Sequence, residues 1–374
     1  MIETSEVVII GGGVAGCAVA YYLGLSGIEP TIVERHGVAT QASGYAVGGL
    51  NPLQGAGIPG PLGPFAWESF QMHFNLWKDL KEETNLDFQG RTVSSIEVAF
   101  QEADLNDMEN TLDLFSAAKG FDTRWLDARE IHDLEPRITP KAIRGLYCRG
   151  NGALDSYVYT MALAEAAKKR GARFRKGKVC GLEHSDGKAT GVLLEDGKVS
   201  CASVVLAMGP WSRQAEGWLG AYIPVDPLKG ELLRLRPPGP ALAYDLTGGG
   251  GSLYTKPNGQ VWCGATEEWR GFDRHVSESA QRAILERAVQ LMPELTKAPV
   301  VMKTACLRPV TPDCLPIIGR VPGCRNVYLA TAGGKKGILL STGMGKGIAD
   351  LITAGDTPLP IHAFTPDRFG YPSG

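Results

Sequence analysis

The hydrophobic pattern of the N-terminal segment predicts a strand, a tight turn, a helix and a second strand. An apolar run at residues 7–10 breaks into three glycines, after which apolar residues recur with helical spacing from Ala15 to Leu23. A second apolar run at 31–33 stops at the acidic Glu34. Apolar residues at every third or fourth position are typical of a helix with a buried face, and short continuous apolar runs are typical of buried strands. The segment therefore predicts a β-α-β unit.

Further apolar patterns predict both helices and strands. Residues 156–174 follow a helical pattern, and residues 203–212 form a buried strand that ends in a glycine turn. Residues 329–352 predict another strand and glycine turn, followed by a helix from about Ser341 to Thr353. Short alternating runs such as ELLRLR and GQVWCGATEE are typical of an antiparallel sheet. The Pro-rich end, residues 357–374, predicts an extended tail on the surface.

Composition and charge narrow the function classes. The chain has 374 residues, of which 44% are hydrophobic and 21% charged, and its net charge of −2 gives no support to nucleic-acid binding. The basic stretch at 168–178 continues a helical pattern, which favours a solvated helix end over a phosphate-binding patch. No apolar run reaches the roughly 18 residues that a membrane span needs, and the first strand begins too early to leave room for a signal peptide.

The cysteines indicate a reducing compartment. None of the eight belongs to a C-x-x-C pair, so we expect scattered reduced thiols and no zinc site. We therefore expect a cytoplasmic protein, while peripheral attachment to a membrane stays open. The sequence also leaves open whether the chain forms homo-oligomers or hetero-oligomers.

Three glycines in and just after the first turn form a dinucleotide-binding motif. Gly11, Gly13 and Gly16 give the spacing G-x-G-x-x-G directly after a strand and at the start of a helix. The first permits a tight turn, the second lets a pyrophosphate approach, and the third lets helix and strand pack closely, while the helix N-terminus offers N–H groups to the phosphates. Glu34 ends the second strand, where a carboxylate accepts hydrogen bonds from a ribose. An acid here disfavours NADP, and the motif alone leaves NAD and FAD open.

The segments after this unit resemble the FAD-dependent amine and amino-acid oxidoreductases, the family of glycine oxidase, sarcosine oxidase, D-amino-acid dehydrogenase and the proline dehydrogenase subunits. An A-S-G element at 42–44 follows Arg35 and precedes two glycines at 48–49, like the family's loop from the pyrophosphate toward the isoalloxazine ring. Residues 306–319, CLRPVTPDCLPIIG, are similar to its R-P-x-T-x-D-x-x-P-x-I-G segment beside the flavin. With the two strand-and-glycine-turn segments, the resemblance covers almost the whole chain in the right order.

The resemblance implies FAD as the cofactor and an α/β fold, α+β overall, in which a Rossmann-like FAD-binding domain is interleaved with a substrate domain built on an antiparallel sheet. The FAD-binding domain is expected at 1–80, 145–220 and 320–374, and the substrate-binding domain at 81–144 and 221–319. The expected cofactor-binding residues are Gly11, Gly13, Val14, Ala15, Gly16, Glu34, Arg35, Ala42, Ser43, Gly48, Gly49, Val179, Ala207, Gly209, Trp211, Arg308, Gly333, Gly334, Lys335, Lys336, Gly337 and Ile338.

The resemblance also implies substrate roles. Arg308 matches the family's carboxylate-binding arginine, and a guanidinium can hold a carboxylate with two parallel hydrogen bonds. An ion pair with Asp313 is the alternative. Tyr254 lies on a strand that walls the family's substrate pocket, although core packing is nearly as good an explanation. Cys306 has the spacing to Thr311 at which some sarcosine oxidases attach flavin covalently, and a buried free cysteine is the alternative.

Two lysines stand in the last glycine turn. Residues 333–337 read G-G-K-K-G where the family has G-H-x-x-x-G, so a role of that histidine is in doubt. We expect the N-terminus of the following helix, with Lys335 or Lys336, to stabilise the pyrimidine edge of the flavin, which becomes anionic on reduction. Solvated lysines are the alternative. Lys229 and Glu231 are expected to belong to the sheet, and a role in the substrate pocket is the alternative.

The predicted reaction is the oxidation of a small amino acid or N-substituted amino acid, with hydride transfer from the α-carbon to flavin N5 and hydrolysis of the imine. The electron acceptor stays open between O₂, a quinone and a partner protein. One alternative is a 2-hydroxy-acid dehydrogenase, which needs a base for the hydroxyl proton, and only His73 has a place from which to reach the flavin. Another is the FAD subunit of a heteromeric amino-acid dehydrogenase. The Gly/Pro-rich segment 51–67 is unusual for the family, and its role does not follow from the sequence.

Overall fold

The chain alternates between two structural units. The computed structural model describes residues 3–370. The first unit comprises the residues up to Phe88, Asp155–Leu228 and the residues from Leu307 onward, and the second unit comprises Gln89–Leu154 and Lys229–Cys306. The predicted assignment of FAD binding to 1–80, 145–220 and 320–374, and of substrate binding to the rest, stays a prediction.

Strands and helices occur throughout the described chain. In chain order, the strands are β1 (Glu3–Ile10), β2 (Thr31–Glu34), β3 (Gly49–Leu50), β4 (Arg91–Ala99), β5 (Asp122–Asp127), β6 (Arg144–Ala153), β7 (Arg173–Lys176), β8 (Val179–Ser185), β9 (Lys188–Leu194), β10 (Gly197–Leu206), β11 (Asp226–Leu235), β12 (Tyr244–Gly248), β13 (Gly251–Thr255), β14 (Val261–Gly264), β15 (Val300–Val310), β16 (Ile317–Arg320) and β17 (Val327–Thr331). The helices are α1 (Val14–Leu25), α2 (Ala42–Tyr45), α3 (Leu62–Thr84), α4 (Leu105–Ser116), α5 (Ala128–Leu134), α6 (Ser156–Lys169), α7 (Glu216–Leu219), α8 (Glu278–Leu291) and α9 (Gly337–Thr353).

The first unit is built on a sheet whose central strands are parallel. The strands lie in the order β16–β17–β10–β1–β2–β7, and β9 and β8 extend the sheet from β10. β1 pairs in parallel with β2 and β10, and β10 pairs in parallel with β17. The register places Ile10 beside Val33 and Leu206, and Leu206 beside Leu329. The loops that follow these four strands therefore leave from the same edge of the sheet, and the predicted β-α-β unit is confirmed.

Four helices of the first unit pack together. α1 contacts α6 and α9, and α3 contacts the same two helices. Cys17 to Leu23 of α1 are all buried, as expected for a helix that is apolar on every side. α6 begins at the predicted position, where the Asp155 side chain accepts a hydrogen bond from the Val158 N–H. The four helices thus form a packed layer, which holds the N-termini of α1 and α9 in place.

The second unit is built on a mainly antiparallel sheet. Its strands lie in the order β15–β11–β14–β13–β12–β4–β6, with β5 on β6, and within this order β12 and β4 are parallel. One face carries Leu253 and Cys263, which are buried in a core shared with α8. Because side chains alternate between the faces of a strand, Arg234, Trp262 and Tyr254, which pair across β11, β14 and β13, lie on the other face.

The start of α9 differs from the prediction. The helix begins at Gly337 rather than at Ser341. The glycine turn tightens into a 3₁₀ turn at 334–336, which leads directly into α9 and extends the helix toward the edge of the sheet.

The prediction of an extended surface tail is wrong for the described part of that segment. Residues 362–364 and 366–369 form 3₁₀ turns, and Phe364 is completely buried. Its ring centroid lies 5.4 Å from that of Phe65 on α3, so an aromatic contact anchors the segment. Residues 371–374 of the predicted tail lie outside the described residues. Within residues 3–370, no helix has the length and apolar character to cross a membrane.

Candidate functional site

Backbone packing requires glycine at two positions, one in the turn after β1 and one in the first turn of α1. Gly11 has φ +114°, and a Cβ on it would lie 2.3 Å from the Ala207 carbonyl oxygen. A Cβ on Gly16 would lie 2.0 Å from the Gly11 carbonyl oxygen. Both distances are far inside van der Waals contact. The turn, the first turn of α1 and the loop after β10 therefore lie directly against one another.

The N-terminus of α1 is suited to an anion. Gly13 is the N-cap and offers no side-chain hydrogen bond, and the first turn, with Val14, Ala15 and Gly16, contains no acid. The Val14 N–H donates to Ser43 Oγ at 2.9 Å. The first N–H groups of a helix lack intrahelical acceptors and form the positive end of its dipole. The fold thus brings a hydroxyl to the helix end at which the sequence predicts a pyrophosphate.

Glu34 is anchored at the C-terminal end of β2. Its Oε2 accepts a hydrogen bond from the Gly12 N–H at 2.8 Å, and its Oε1 accepts one from the His36 N–H at 2.8 Å. The Gly177 N–H donates to the Glu34 carbonyl oxygen at 3.0 Å, which brings the start of β8, and with it Val179, to the same edge. A carboxylate held in this way can accept further hydrogen bonds from ribose hydroxyls.

The loop after β10 joins the same cluster. The Ala207 N–H donates to the last carbonyl of β1 at 2.9 Å. The Arg35 guanidinium lies over the Trp211 ring, 4.3 Å from its centroid. The Gly209 carbonyl oxygen accepts a hydrogen bond from Thr331 Oγ1 at 3.2 Å, which ties this loop to the end of β17.

The loop that carries the A-S-G element also contacts its neighbours. Ala42 begins the short helix α2, and the Ala46 carbonyl accepts a hydrogen bond from Ser156 Oγ at 2.7 Å. Gly48 has φ +77°, which favours glycine, and Gly49 begins β3. The predicted residues of this loop therefore lie on a segment held between α1 and α6.

The turn after β17 has unusual backbone geometry. Ala332 is buried and has φ +58°, and Gly334 has φ +54°. A Cβ on Gly333 would lie 2.7 Å from the Gly337 Cα. Ile338 follows in the buried first turn of α9. A non-glycine residue in the left-handed region costs free energy, and such residues cluster at ligand-binding sites.

The two lysines of this turn have different surroundings. Lys335 is exposed, whereas Lys336 is half-buried and its Nζ donates to the Asn51 carbonyl oxygen at 2.8 Å. Burial, with the neighbouring charge of Lys335, lowers the pKa of Lys336 to about 8. The first turn of α9 contains no acid. Lys336 is therefore not a solvated surface lysine.

His73 is completely buried on α3. Its Nε2 lies 3.1 Å and 3.0 Å from the carbonyl oxygens of Ile338 and Leu339, so Nε2 carries the proton and donates to them. Burial lowers the pKa of the His73 imidazole to about 4. The ring is neutral, is hydrogen-bonded to two backbone carbonyls and has no solvent contact. The other five histidines are exposed. His73 is therefore not placed to act as a base on a substrate hydroxyl.

The expected substrate residues are divided between the units. Arg308 is half-buried on β15 and belongs to the first unit, whereas Tyr254 is half-buried on β13 in the second unit. Asp313, the alternative partner of Arg308, forms an ion pair with Arg368, with Nε and Oδ2 2.8 Å apart. Cys306 is half-buried on β15, and flavin attachment through it stays a prediction.

Lys229 and Glu231 belong to β11 and form a buried polar network. Lys229 Nζ lies 3.1 Å from Glu231 and 2.8 Å from Asp273, and Glu231 accepts hydrogen bonds from Ser277 and Gln281. The network fixes the segment that precedes α8. Within the described part of the chain, no group of three or more His, Cys, Asp or Glu side chains could hold a metal ion.

Comparison with known proteins identifies the family. The sequence matches the family described as DAO, FAD dependent oxidoreductase, over residues 6–351. The chain belongs to this DAO family. It is 29% identical to a glycine oxidase of Geobacillus kaustophilus over 98% of each chain, and 30% identical to a D-amino acid dehydrogenase of Xanthobacter autotrophicus over 93% of this chain and 95% of the other. The crystal structure of the Geobacillus glycine oxidase has a TM-score of 0.91 to this chain at 28% identity, covering 98% of this chain and 99% of that one.

The DAO family confirms FAD as the cofactor and the predicted fold class, and the first unit fits that cofactor. α1 begins without an acid or a side-chain cap, and Ser43 lies at its first N–H. Glu34 is held at the neighbouring strand end by two backbone N–H groups. α9 begins at the same edge, again without an acid in its first turn. The positive N-terminus of α1 suits a pyrophosphate, and that of α9 suits an anionic ring edge. The anchored Glu34 carboxylate suits a ribose.

Sequence reasoning missed three features of this DAO-family site. Ala39 and Ala332 both have φ +58° on loops that leave the carboxyl edge of the sheet, and alanine gives no turn signal. The Lys336 contact to Asn51 joins residues far apart in the chain. The glycines and prolines around Asn51 indicated an unusual loop, but nothing local indicated its partner.

Proposed function

We propose that this DAO-family protein oxidises a small amino acid or N-substituted amino acid. The observation that carries the proposal is the similarity to glycine oxidase along the whole chain, together with an arginine at the motif position that binds the substrate carboxylate in that family. Glycine oxidase and D-amino acid dehydrogenase, as their names state, act on amino acids. A small carboxylate-bearing amine is the substrate class that these relatives share.

The first unit is proposed to bind FAD through the loops at the carboxyl edge of its parallel sheet. When bound, FAD accepts the hydride from the substrate α-carbon at N5. The N-terminus of α1, with Gly13 and Ser43, holds the pyrophosphate, and Glu34 accepts hydrogen bonds from the ribose. The loops at 207–211 and 332–338 complete the proposed FAD-binding site. These residues bind and orient the cofactor and take no part in proton transfer.

Arg308 is proposed to orient the substrate. A guanidinium presents a rigid fork of N–H donors, so two parallel hydrogen bonds fix the carboxylate and with it the direction of the α-hydrogen. A role of Tyr254 in the substrate pocket stays a prediction from the family resemblance. The substrate amine must be neutral so that its lone pair assists hydride loss. No dedicated base is required beyond a pocket that favours the neutral amine.

Lys335, Lys336 and the N-terminus of α9 are proposed to supply positive charge where negative charge accumulates on the reduced ring. Prearranged charges and dipoles of this kind stabilise a developing anion without reorganisation. The low pKa of Lys336 supports a site of low polarity, in which such a charge acts strongly.

A 2-hydroxy-acid substrate is the weaker alternative. Removing a hydroxyl proton calls for a base, and His73 is buried with its Nε2–H engaged by two carbonyls of α9. A role as the FAD subunit of a heteromeric dehydrogenase uses the same residues and differs in the electron acceptor. Reoxidation of the reduced protein by air, a quinone or only a partner protein separates these cases.

The test is anaerobic reduction of the bound flavin, followed by its absorbance. The panel comprises glycine, sarcosine, L- and D-proline, other D-amino acids and several 2-hydroxy acids. We expect bleaching by at least one amino acid. In Arg308→Met the amino-acid concentration for half-reduction should rise by about tenfold to a hundredfold, because a charged hydrogen-bond pair is lost, while FAD stays bound.

The exposed Arg320 on β16 provides the matched control, and Arg320→Met should leave that concentration unchanged. Bleaching by 2-hydroxy acids alone would replace the proposal with the alternative. Equal half-reduction concentrations in Arg308→Met and the wild type would remove Arg308 from the site.

A further inference from the structure

The Gly/Pro-rich residues 51–61 form a folded loop. We call them the 51–61 loop; it begins directly after β3 and ends at α3. Asn51 Oδ1 accepts hydrogen bonds from the N–H groups of Leu53 and Gln54, at 3.0 Å and 3.1 Å. The Ile58 N–H donates to the Gly55 carbonyl oxygen at 2.8 Å, and Ile58 is buried. The loop therefore has a defined shape of its own.

Lys336 contacts the 51–61 loop in two ways. Its Nζ donates to the Asn51 carbonyl oxygen at 2.8 Å. Gly55 has φ +133°, and a Cβ on it would lie 2.5 Å from Lys336 Cε and 3.0 Å from Nζ. The loop thus bends around the end of the lysine side chain, and glycine at 55 leaves the space that the side chain occupies.

The other end of the 51–61 loop rests on the turn that follows β15. A Cβ on Gly57 would lie 2.8 Å from Leu315 Cδ2, so the loop backbone lies against this leucine. The turn is itself fixed, because Thr311 Oγ1 donates to the Leu315 carbonyl at 2.6 Å and Arg368 donates to the same carbonyl at 3.2 Å. The loop is therefore held at one end by Lys336 and rests at the other end on the side chain of Leu315.

Lys336 forms no ion pair among the described residues, although it is half-buried. An ammonium group in such a place usually has a carboxylate partner. Here the partner is a loop carbonyl, next to a helix N-terminus that already carries positive charge. Burial and Lys335 lower the pKa of Lys336 to about 8. Because burying the ammonium group of Lys336 costs free energy, its presence here indicates a function other than packing.

We propose that Lys336 is the positioning residue of the 51–61 loop, and that the loop, held by Lys336, limits the access of molecules to the flavin-binding turn at 48–49. Asn51 lies only one residue beyond β3, so a shift of the loop is transmitted directly to this turn. The inference deepens the proposed function and rests on it for the place of the flavin beside this turn. It assigns a role to a segment for which the sequence indicated none.

The first test is hydrogen exchange in the FAD-loaded protein. In Lys336→Met, the amides of Leu53, Gln54 and Ile58 should exchange about tenfold faster, because one charge-assisted hydrogen bond to the loop is lost. Lys336→Arg should restore most of the protection. Lys335→Met removes the neighbouring charge but keeps the hydrogen bond from Lys336 to Asn51, so loop exchange should stay unchanged. Unchanged exchange in Lys336→Met would overturn the positioning role.

The second test is quenching of flavin fluorescence by acrylamide, a neutral probe that is insensitive to the lost charge. Quenching should rise several-fold in Lys336→Met and stay at the wild-type level in Arg320→Met, a change at an exposed arginine of β16. Faster loop exchange with unchanged quenching would overturn the control of access. Neither readout needs a substrate, so both decide about the loop even if no amino acid bleaches the flavin.

A second variant covers the case in which Lys336→Met fails to retain FAD. Gly55→Ala leaves every charge in place but sets a Cβ 2.5 Å from Lys336 Cε. The loop and the lysine side chain must then move apart, although the change is made on the loop and not on the lysine. It should accelerate the same amides. Wild-type exchange in Gly55→Ala would count against the proposal.

Discussion

His73 shows how surroundings fix the protonation state of a single residue. The ring is fully buried between α3 and α9, and its Nε2–H is bound to two backbone carbonyls. A proton on Nδ1 would add a buried charge without solvent around it, and no hydrogen-bond partner of Nδ1 lies among residues 3–370. His73, the candidate base in the sequence, is therefore a hydrogen-bond donor that links α3 to α9.

The low pKa of His73 predicts a pH dependence of stability. The unfolded imidazole binds a proton near its ordinary pKa of 6.5, and the folded one only near 4, so the unfolded state holds more protons between these values. Stability should therefore fall as the pH drops from about 6.5 to about 4, by roughly 3 kcal/mol at most from this residue. The measurement is the melting temperature across this range for the wild type and His73→Phe, whose profile should be flatter.

The exposed His184 serves as the control for this experiment, and His184→Gln should keep the wild-type profile. Identical pH profiles for His73→Phe and the wild type would show that His73 takes up its proton as easily in the folded state as in the unfolded state.

At the scale of elements, close contact between α1 and α9 depends on one glycine. A Cβ on Gly345 would lie 2.7 Å from both the carbonyl carbon and the Cβ of Ala18. Gly347, on the same helix, has room, since its Cβ would meet Ile361 and Leu359 at 3.7 Å and 3.9 Å. The two glycines look alike in the sequence and differ only in their neighbours. The N-termini of both helices belong to the proposed FAD site, so their spacing bears on function.

Gly345→Ala should destabilise the protein by about 1–3 kcal/mol, because the helices must move apart. Gly347→Ala should be neutral or stabilising, by up to about 1 kcal/mol, since alanine has the higher helix propensity. Urea denaturation of both variants measures the difference, and FAD affinity reports on the spacing of the helix ends. Equal stability of the two variants would contradict the contact described for Gly345.

At the scale of the whole molecule, the C-terminal segment completes the first unit. Phe364 is fully buried against Phe65, and the backbone of the following turn lies against β16, where a Cβ on Gly319 would meet Pro366 at 3.2 Å. Arg368 then joins the segment to Asp313, in the turn that supports the 51–61 loop. A segment rich in proline therefore closes the core and supports the candidate site.

Phe364→Ala should lower the free energy of unfolding by about 3–5 kcal/mol, the usual cost of deleting a buried phenyl ring. Phe272, which is 51% exposed, provides the control, and Phe272→Ala should cost much less. Thermal unfolding of the FAD-loaded protein measures both. A loss in Phe364→Ala no larger than that in Phe272→Ala would mean that the segment does not anchor the unit.

Features with a local pattern can be predicted from the amino-acid sequence. The first β-α-β unit follows from apolar spacing, and the nucleotide motif follows from three glycines and the acid that ends β2. The family, its fold class and FAD follow from motifs that keep their order along the chain. Such signals are readable because neighbouring residues alone decide turn geometry, helix periodicity and strand ends.

Contacts between residues far apart in the chain follow from the folded structure and not from local sequence patterns. It placed Lys336 on a carbonyl 285 positions away, paired Asp313 with Arg368, and buried His73 and Phe364. It also imposed a left-handed backbone on Ala332, which no local preference favours. Contacts of this kind depend on packing between elements, and packing leaves no periodic trace in the sequence.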